Sequence, residues 1–94
     1  MRPTLLTPDE LQSGLARLDG WTGGAGFIAR EFQFDDFVSA FGWMTSVALV
    51  AERMNHHPDW SNVYRTVNVQ LSTHDAGGVT KLDLELAAAM NKLA

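Results

Sequence analysis

Cysteine is missing from the 94 residues, which excludes a disulfide scaffold and any site built on thiolate ligands. Basic residues are scarce. Lys and Arg number 7 against 11 Asp and Glu, for a formal charge of -4, which argues against a protein whose main task is to grip phosphates. Nucleic acid is therefore not an expected direct partner. No apolar run approaches the ~20 residues that a membrane helix requires, so no membrane association is expected either. With 46% hydrophobic and 19% charged residues the chain is nevertheless too apolar to stay disordered. Its length predicts one domain, 1–94, of a size that buries only about 60% of its unfolded surface and often associates to hide more. Met1 is not followed by a charged stretch and an apolar core of a secretory leader, and with no disulfide the expected location is cytoplasmic.

What is present reads as seven elements. Thr7-Pro8-Asp9-Glu10 predicts a helix start, with Thr7 as cap, Pro8 in the first helical position and Glu10 closing a capping box. Leu11, Leu15 and Leu18 then line one face until Asp19-Gly20 ends the helix. A Gly-rich stretch after Trp21 suggests a hairpin into a strand over Phe27–Phe34, with Phe32 and Phe34 on one side. Gly23-Gly24-Ala25-Gly26 lacks both the Lys of a phosphate-binding loop and the spacing of a dinucleotide fingerprint, so a turn is the reading.

Asp35 or Asp36 should cap the longest helix, from about Phe37 to about Asn55. One stripe is read through Phe37, Phe41, Met44, Ala48 and Ala51, and a second through Val38, Trp43, Val47, Val50 and Met54. A helix apolar on two sides predicts packing on the sheet with one and on another subunit with the other. Two further strands follow, Trp60–Tyr64 and Thr66–Thr73, turning near Tyr64-Arg65, the second with Val67, Val69 and Leu71 in strict alternation. Asp75–Gly78 is a loop. Thr80 and Asp83 then open a last helix through Leu82, Leu86, Ala89 and Leu93. The order α-β-β-α-β-β-α predicts an α+β fold, an antiparallel sheet with its helices on one face.

The 3 histidines carry the chemistry. His56 and His57 stand together before Pro58 at the exit of the long helix, and His74 stands where the last strand ends, so all are expected at edges rather than in the core. Alone, each is most simply a solvated or capping residue; converging, they would suit general acid-base work near neutrality. A zinc site is the competing reading, but the one-turn helical ligand spacing is absent. A metal-dependent hydrolase thus fits the histidine count and not the spacing.

Glu52-x-x-x-His56-His57-Pro58, followed by Tyr64, His74 and Asp83, resembles the signature of the pterin-4a-carbinolamine dehydratases. The resemblance extends to Gly20-Trp21, Phe32-x-Phe34-x-Asp36-Phe37, Thr73-His74-Asp75 and Gly77-Gly78, covering the chain from about Thr7 to Asn91. It implies a four-stranded antiparallel sheet with helices on one face. It also implies dehydration of 4a-hydroxytetrahydropterin to quinonoid dihydropterin, recycling the cofactor of aromatic amino-acid hydroxylases, with no metal or organic cofactor. The expected partners are then the pterin substrate, further copies of the chain in a dimer or tetramer, and functional coupling to a hydroxylase.

By the same resemblance His56 and His74 are the acid-base residues, with His57 binding the ring or accepting a proton. Glu52, Trp60, Ser72, Thr73 and Asp83 join the site, each beside a plainer explanation. Glu52 would orient His56 from one turn away, or be a solvated helix residue. Trp60 would lie against the pterin, or fill the core. Ser72 and Thr73 would bond the pterin edge, though strand usage accounts for them, Ser72 especially. Asp83 would hold an imidazole in its tautomer, or cap its helix. Tyr64 belongs to the signature and is as readily a core residue as a ligand contact. A non-catalytic binding or dimerisation module on the same fold is the alternative function, since some animal relatives serve as the dimerisation cofactor of a homeodomain transcription factor.

Overall fold

The computed structural model describes residues 3–94. Its elements run α1 (Pro8–Ala16), β1 (Thr22–Gly23), β2 (Ile28–Gln33), α2 (Phe37–Met54), β3 (Asp59–Val63), β4 (Thr66–Leu71) and α3 (Lys81–Leu93), with one 3₁₀ turn over His74–Ala76. The strands form one four-stranded antiparallel sheet, as expected, and they pair in the order β1-β2-β4-β3.

Alternation decides which face the helices cover. Ile28, Phe32, Val67, Val69 and Leu71 are buried on one side, while Glu31, Gln33, Asn68 and Gln70 are exposed on the other. The sheet thus has one dry face and one open face. Phe32 and Phe34 both point to the dry face and flank Trp43 of α2, with ring centroids 4.4 and 5.2 Å from it. Aromatic pairs at such separations contribute ~0.5–1.5 kcal/mol each beyond area burial.

Local chemistry places the helix starts where the spacing predicts, while α1 closes at Ala16, short of the expected stop at Asp19-Gly20. Thr7 accepts from Glu10 N–H and Glu10 reaches back to Thr7 N–H, completing the first box. Of the two candidates at α2, Asp36 is the cap: it accepts from Ser39 N–H at 2.8 Å. That bond holds its carboxyl below the ordinary carboxylate value. A lowered folded value means the contribution is present above the unfolded value and is lost as pH falls through the folded one. Gly23, at φ +141°, lets β1 turn tightly onto β2; a Cβ there would lie 2.7 Å from Ile28 Cα.

The two stripes on α2 divide differently from the sequence reading. The buried face is Ala40, Trp43, Val47 and Ala51, with Met44, Val50 and Met54 packed beside it. Ala51 therefore belongs with Trp43 and Val47, whereas Val38 sits outside with Phe37, Phe41 and Leu49. At 100° per residue Val38 falls on the side opposite Val47, which hydrophobicity alone did not reveal. In α3 the buried face is Asp83, Leu86, Ala87 and Met90, so Leu93, counted in the stripe, is 44% exposed. Among the described residues no helix is long and apolar enough to cross a membrane.

Candidate functional site

Helix α2 ends in a left-handed residue, and that reversal builds half of the site. Asn55 adopts φ 51° and ψ 43°; its N–H bonds Glu52 O at 3.1 Å, and His56 N–H bonds Ala51 O at 3.0 Å. This is a Schellman closure, which folds the residue after the turn back against the helix. His56 is consequently buried, at 7% exposure, and not at an edge as its position before His57-Pro58 suggests. His57, one residue on, faces solvent. The other half comes from the loop after β4. Thr73 N–H bonds Gly78 O at 2.8 Å and Gly77 N–H bonds Thr73 O at 3.0 Å, while Gly77 takes φ +80°, so the loop closes on itself and holds His74 outward.

These two segments border an open cavity of about 290 Å³. His56, His57 and His74 all line it, with Ser72 and Thr73 between the segments. Asn55 and Asp75 line it too, and neither was singled out from sequence. The signal for Asn55 was available: Asn is a favoured left-handed helix terminator. A larger depression of about 390 Å³ lies on the open face of the sheet, walled by Glu31, Asp59, Ser61, Asn68 and Gln70 among others, but it contains no imidazole.

His56 is fixed from behind. Its Nε2 lies 2.5 Å from Oδ1 of Asp83, a carboxylate with no exposed surface. The other oxygen of Asp83 accepts from Thr73 Oγ1–H and from Thr80 N–H, each at 2.9 Å. Asp83 thus does both things considered for it, capping α3 and holding an imidazole. Among the described residues Nδ1 of His56 has no hydrogen-bond partner, and no polar side-chain atom is buried without one. Nδ1 is therefore the nitrogen that reaches the cavity.

Other expected site residues fall elsewhere. Glu52 pairs with His57, Oε1 to Nε2 at 2.9 Å in solvent, and not with His56, because the left-handed turn carries His56 inward and leaves His57 on the outer side. Trp60 is half-buried on β3, its ring centroid 6.1 Å from that of Trp43, and does not line the histidine cavity; alternation along β3 directs it to the helix-covered face. Tyr64 is neither core nor cavity: it is 62% exposed at the β3–β4 turn with φ +53°. Among the described residues no group of three or more His, Asp or Glu side chains is arranged to hold a metal ion.

A small α+β protein with a cavity lined by imidazoles, one of them backed by a buried carboxylate, belongs to the class equipped for proton transfer without a thiol. The model of the family described as pterin 4 alpha carbinolamine dehydratase matches residues 4–93, and the chain belongs to that family. A protein of Rhodopseudomonas palustris (strain HaA2), named "Putative pterin-4-alpha-carbinolamine dehydratase", is 58% identical over 91 residues, 95% of this chain and 90% of the relative. One of the same name from Prochlorococcus marinus (strain MIT 9303) is 53% identical over 93 residues, 99% of this chain and 97% of the relative. The crystal structure of a transcriptional coactivator/pterin dehydratase from Brucella melitensis superposes with a TM-score of 0.90 at 47% identity, covering 95% of this chain and 97% of that one. A pterin dehydratase-like RuBisCO assembly factor of the alpha-carboxysome, at 20% identity and a TM-score of 0.65 over 79% of this chain and 86% of its own, shares the fold.

Proposed function

We propose that the chain, working as one domain, dehydrates 4a-hydroxytetrahydropterin to quinonoid dihydropterin and water. The observation that carries this reading is the meeting of three imidazoles from two separate segments around one cavity. In the reaction the C4a–O bond breaks and the hydroxyl leaves as water once protonated, while N5 loses its proton and the C4a=N5 bond forms. One acid and one base on different sides of the ring suffice. His56 is the base: Nδ1 accepts the N5 proton, and Asp83 stabilises the imidazolium through Nε2. His74, across the cavity, is the acid for the leaving hydroxyl. His57, steered by Glu52, binds the ring, and Ser72 offers its hydroxyl to the ring edge, whereas the Thr73 hydroxyl, expected there too, is committed to Asp83 and supports the site from behind. We further propose that the protein acts in the cytoplasm and regenerates the pterin used by an aromatic amino-acid hydroxylase.

Dehydration measured above the spontaneous rate tests the reading. His56→Ala or His74→Ala should lower kcat by about 10²–10⁴-fold, and His57→Ala should chiefly raise KM. The wild-type rate should survive dialysis against a chelator, since imidazoles alone can carry both transfers. Wild-type turnover in the folded triple alanine variant would overturn the assignment. It would favour a second reading, a non-catalytic dimerisation module, which the exposed apolar side of α2 supports.

A further inference from the structure

We propose that Thr80 is a positioning residue for His56, acting through Thr73 and Asp83 to set which ring nitrogen faces the cavity. The inference deepens the dehydratase reading, and its kinetic part rests on that reading.

Thr80 has no exposed surface and caps α3. Its Oγ1 accepts from Leu82 N–H at 3.2 Å and lies 2.7 Å from Thr73 Oγ1, which in turn lies 2.9 Å from Asp83 Oδ2. The direction of this chain follows from counting hydrogens. Oδ2 has none to give, so Thr73 donates to it. With the Thr73 hydrogen committed there, the one between the two hydroxyls comes from Thr80. Thr80 N–H adds a second bond to the same Oδ2 at 2.9 Å. One residue thus orients both donors on Oδ2, directly and through Thr73, and bonds aligned head to tail polarise one another.

The consequence appears at the other oxygen. Two donors on Oδ2 favour the anionic carboxylate, so the hydrogen shared between Oδ1 and Nε2 stays on nitrogen. Neutral His56 is then the Nε2–H tautomer, with the Nδ1 lone pair turned to the cavity. Without the Thr80 hydroxyl, Thr73 keeps a buried acceptor with nothing to receive, and its hold on Oδ2 loosens.

The test uses full-length protein with ¹⁵N-labelled imidazoles, as wild type, Thr80→Ser and Thr80→Val. Wild type and Thr80→Ser should show His56 as Nε2–H. Thr80→Val preserves the size and the backbone N–H, and should admit the Nδ1–H form. Its kcat for dehydration should fall by about 2- to 10-fold, the equivalent of one net hydrogen bond, with KM unchanged. An unchanged tautomer in Thr80→Val, wild-type kcat in that variant, or an Nδ1–H ring in the wild type would each overturn the proposal. Should Thr80→Val fail to fold, the wild-type spectrum decides: slowly exchanging hydroxyl protons on Thr73 and Thr80 sustain the relay, and exchange at the solvent rate overturns it. A wild-type protein with no dehydration above background would instead sink the dehydratase reading, while the spectra still judge the relay.

Discussion

His56 carries two nitrogens in unlike surroundings, one against a buried carboxylate and one at a cavity, and this asymmetry separates it from the other two histidines. His57 shares its hydrogen bond with a solvated Glu52 and His74 stands exposed, so neither has a ring fixed by burial. Changing Asp83 therefore has two separable effects. Asp83→Asn can keep its carbonyl oxygen for Thr73 and Thr80, which turns the amide NH₂ toward Nε2 of His56. The ring must then carry its hydrogen on Nδ1, closing the lone pair to the cavity. We predict a folded protein whose kcat drops by about 10²-fold or more, within the range a general base contributes; turnover within a few fold of wild type would remove His56 from the base role. Asp83→Ala is expected to destabilise instead, by about 3–5 kcal/mol in urea unfolding, because it leaves buried donors without an acceptor.

Helix α2 serves the site with its end and something else with its outer side. Ala40, Trp43, Val47 and Ala51 cover the sheet, yet Val38 is 79% exposed and Leu49 68%, with Phe37 and Phe41 about half exposed beside them. A domain this small has no other layer to cover that side, and apolar residues grouped on one surface mark an interaction face. We predict a homo-oligomer, dimer or tetramer, joined at least partly through α2. Light scattering at micromolar concentration should give a multiple of 10.3 kDa for wild type and a smaller species for Phe41→Glu with Leu49→Glu, both positions being solvent-facing in the isolated chain. A wild-type monomer would refute this.

Away from the histidine cavity, one side chain closes the chain on itself. Asn91 Oδ1 accepts from Trp21 Nε1 at 2.8 Å and from Arg30 Nη1 at 2.6 Å, and its Nδ2 donates to Asp19 O at 3.1 Å. Arg30 also bonds Asp19 O and lies 4.2 Å from the centre of the Phe32 ring. One amide thus ties the α1–β1 connection, β2 and the last turn of α3. Asn91→Leu should lower stability by about 1–3 kcal/mol in urea unfolding, the cost of leaving half-buried donors unpaired. Dehydration kcat at 25 °C should stay at the wild-type value, because none of these residues lines the histidine cavity. A kcat loss without a stability loss would contradict this separation.

Sequence alone determined what short-range chemistry decides. The capping residues Thr7 and Thr80, the turn at Tyr64-Arg65, the alternation of Val67, Val69 and Leu71 and the order of elements all act within a few residues, so they were legible without a fold. The signature residues likewise pointed to the histidines. Only the tertiary structure decided where those side chains went. A single left-handed residue, Asn55, reversed the chain after α2, and with it exchanged the surroundings of two adjacent histidines. That is why Glu52 holds His57 while Asp83, 27 residues after His56 in the chain, holds His56. Alternation put Trp60 on one face of β3, but only the packing of α2 on the sheet made that face the covered one, and Tyr64 was left in solvent. A residue's partners follow from distances across the fold, and local propensity contains no term for them.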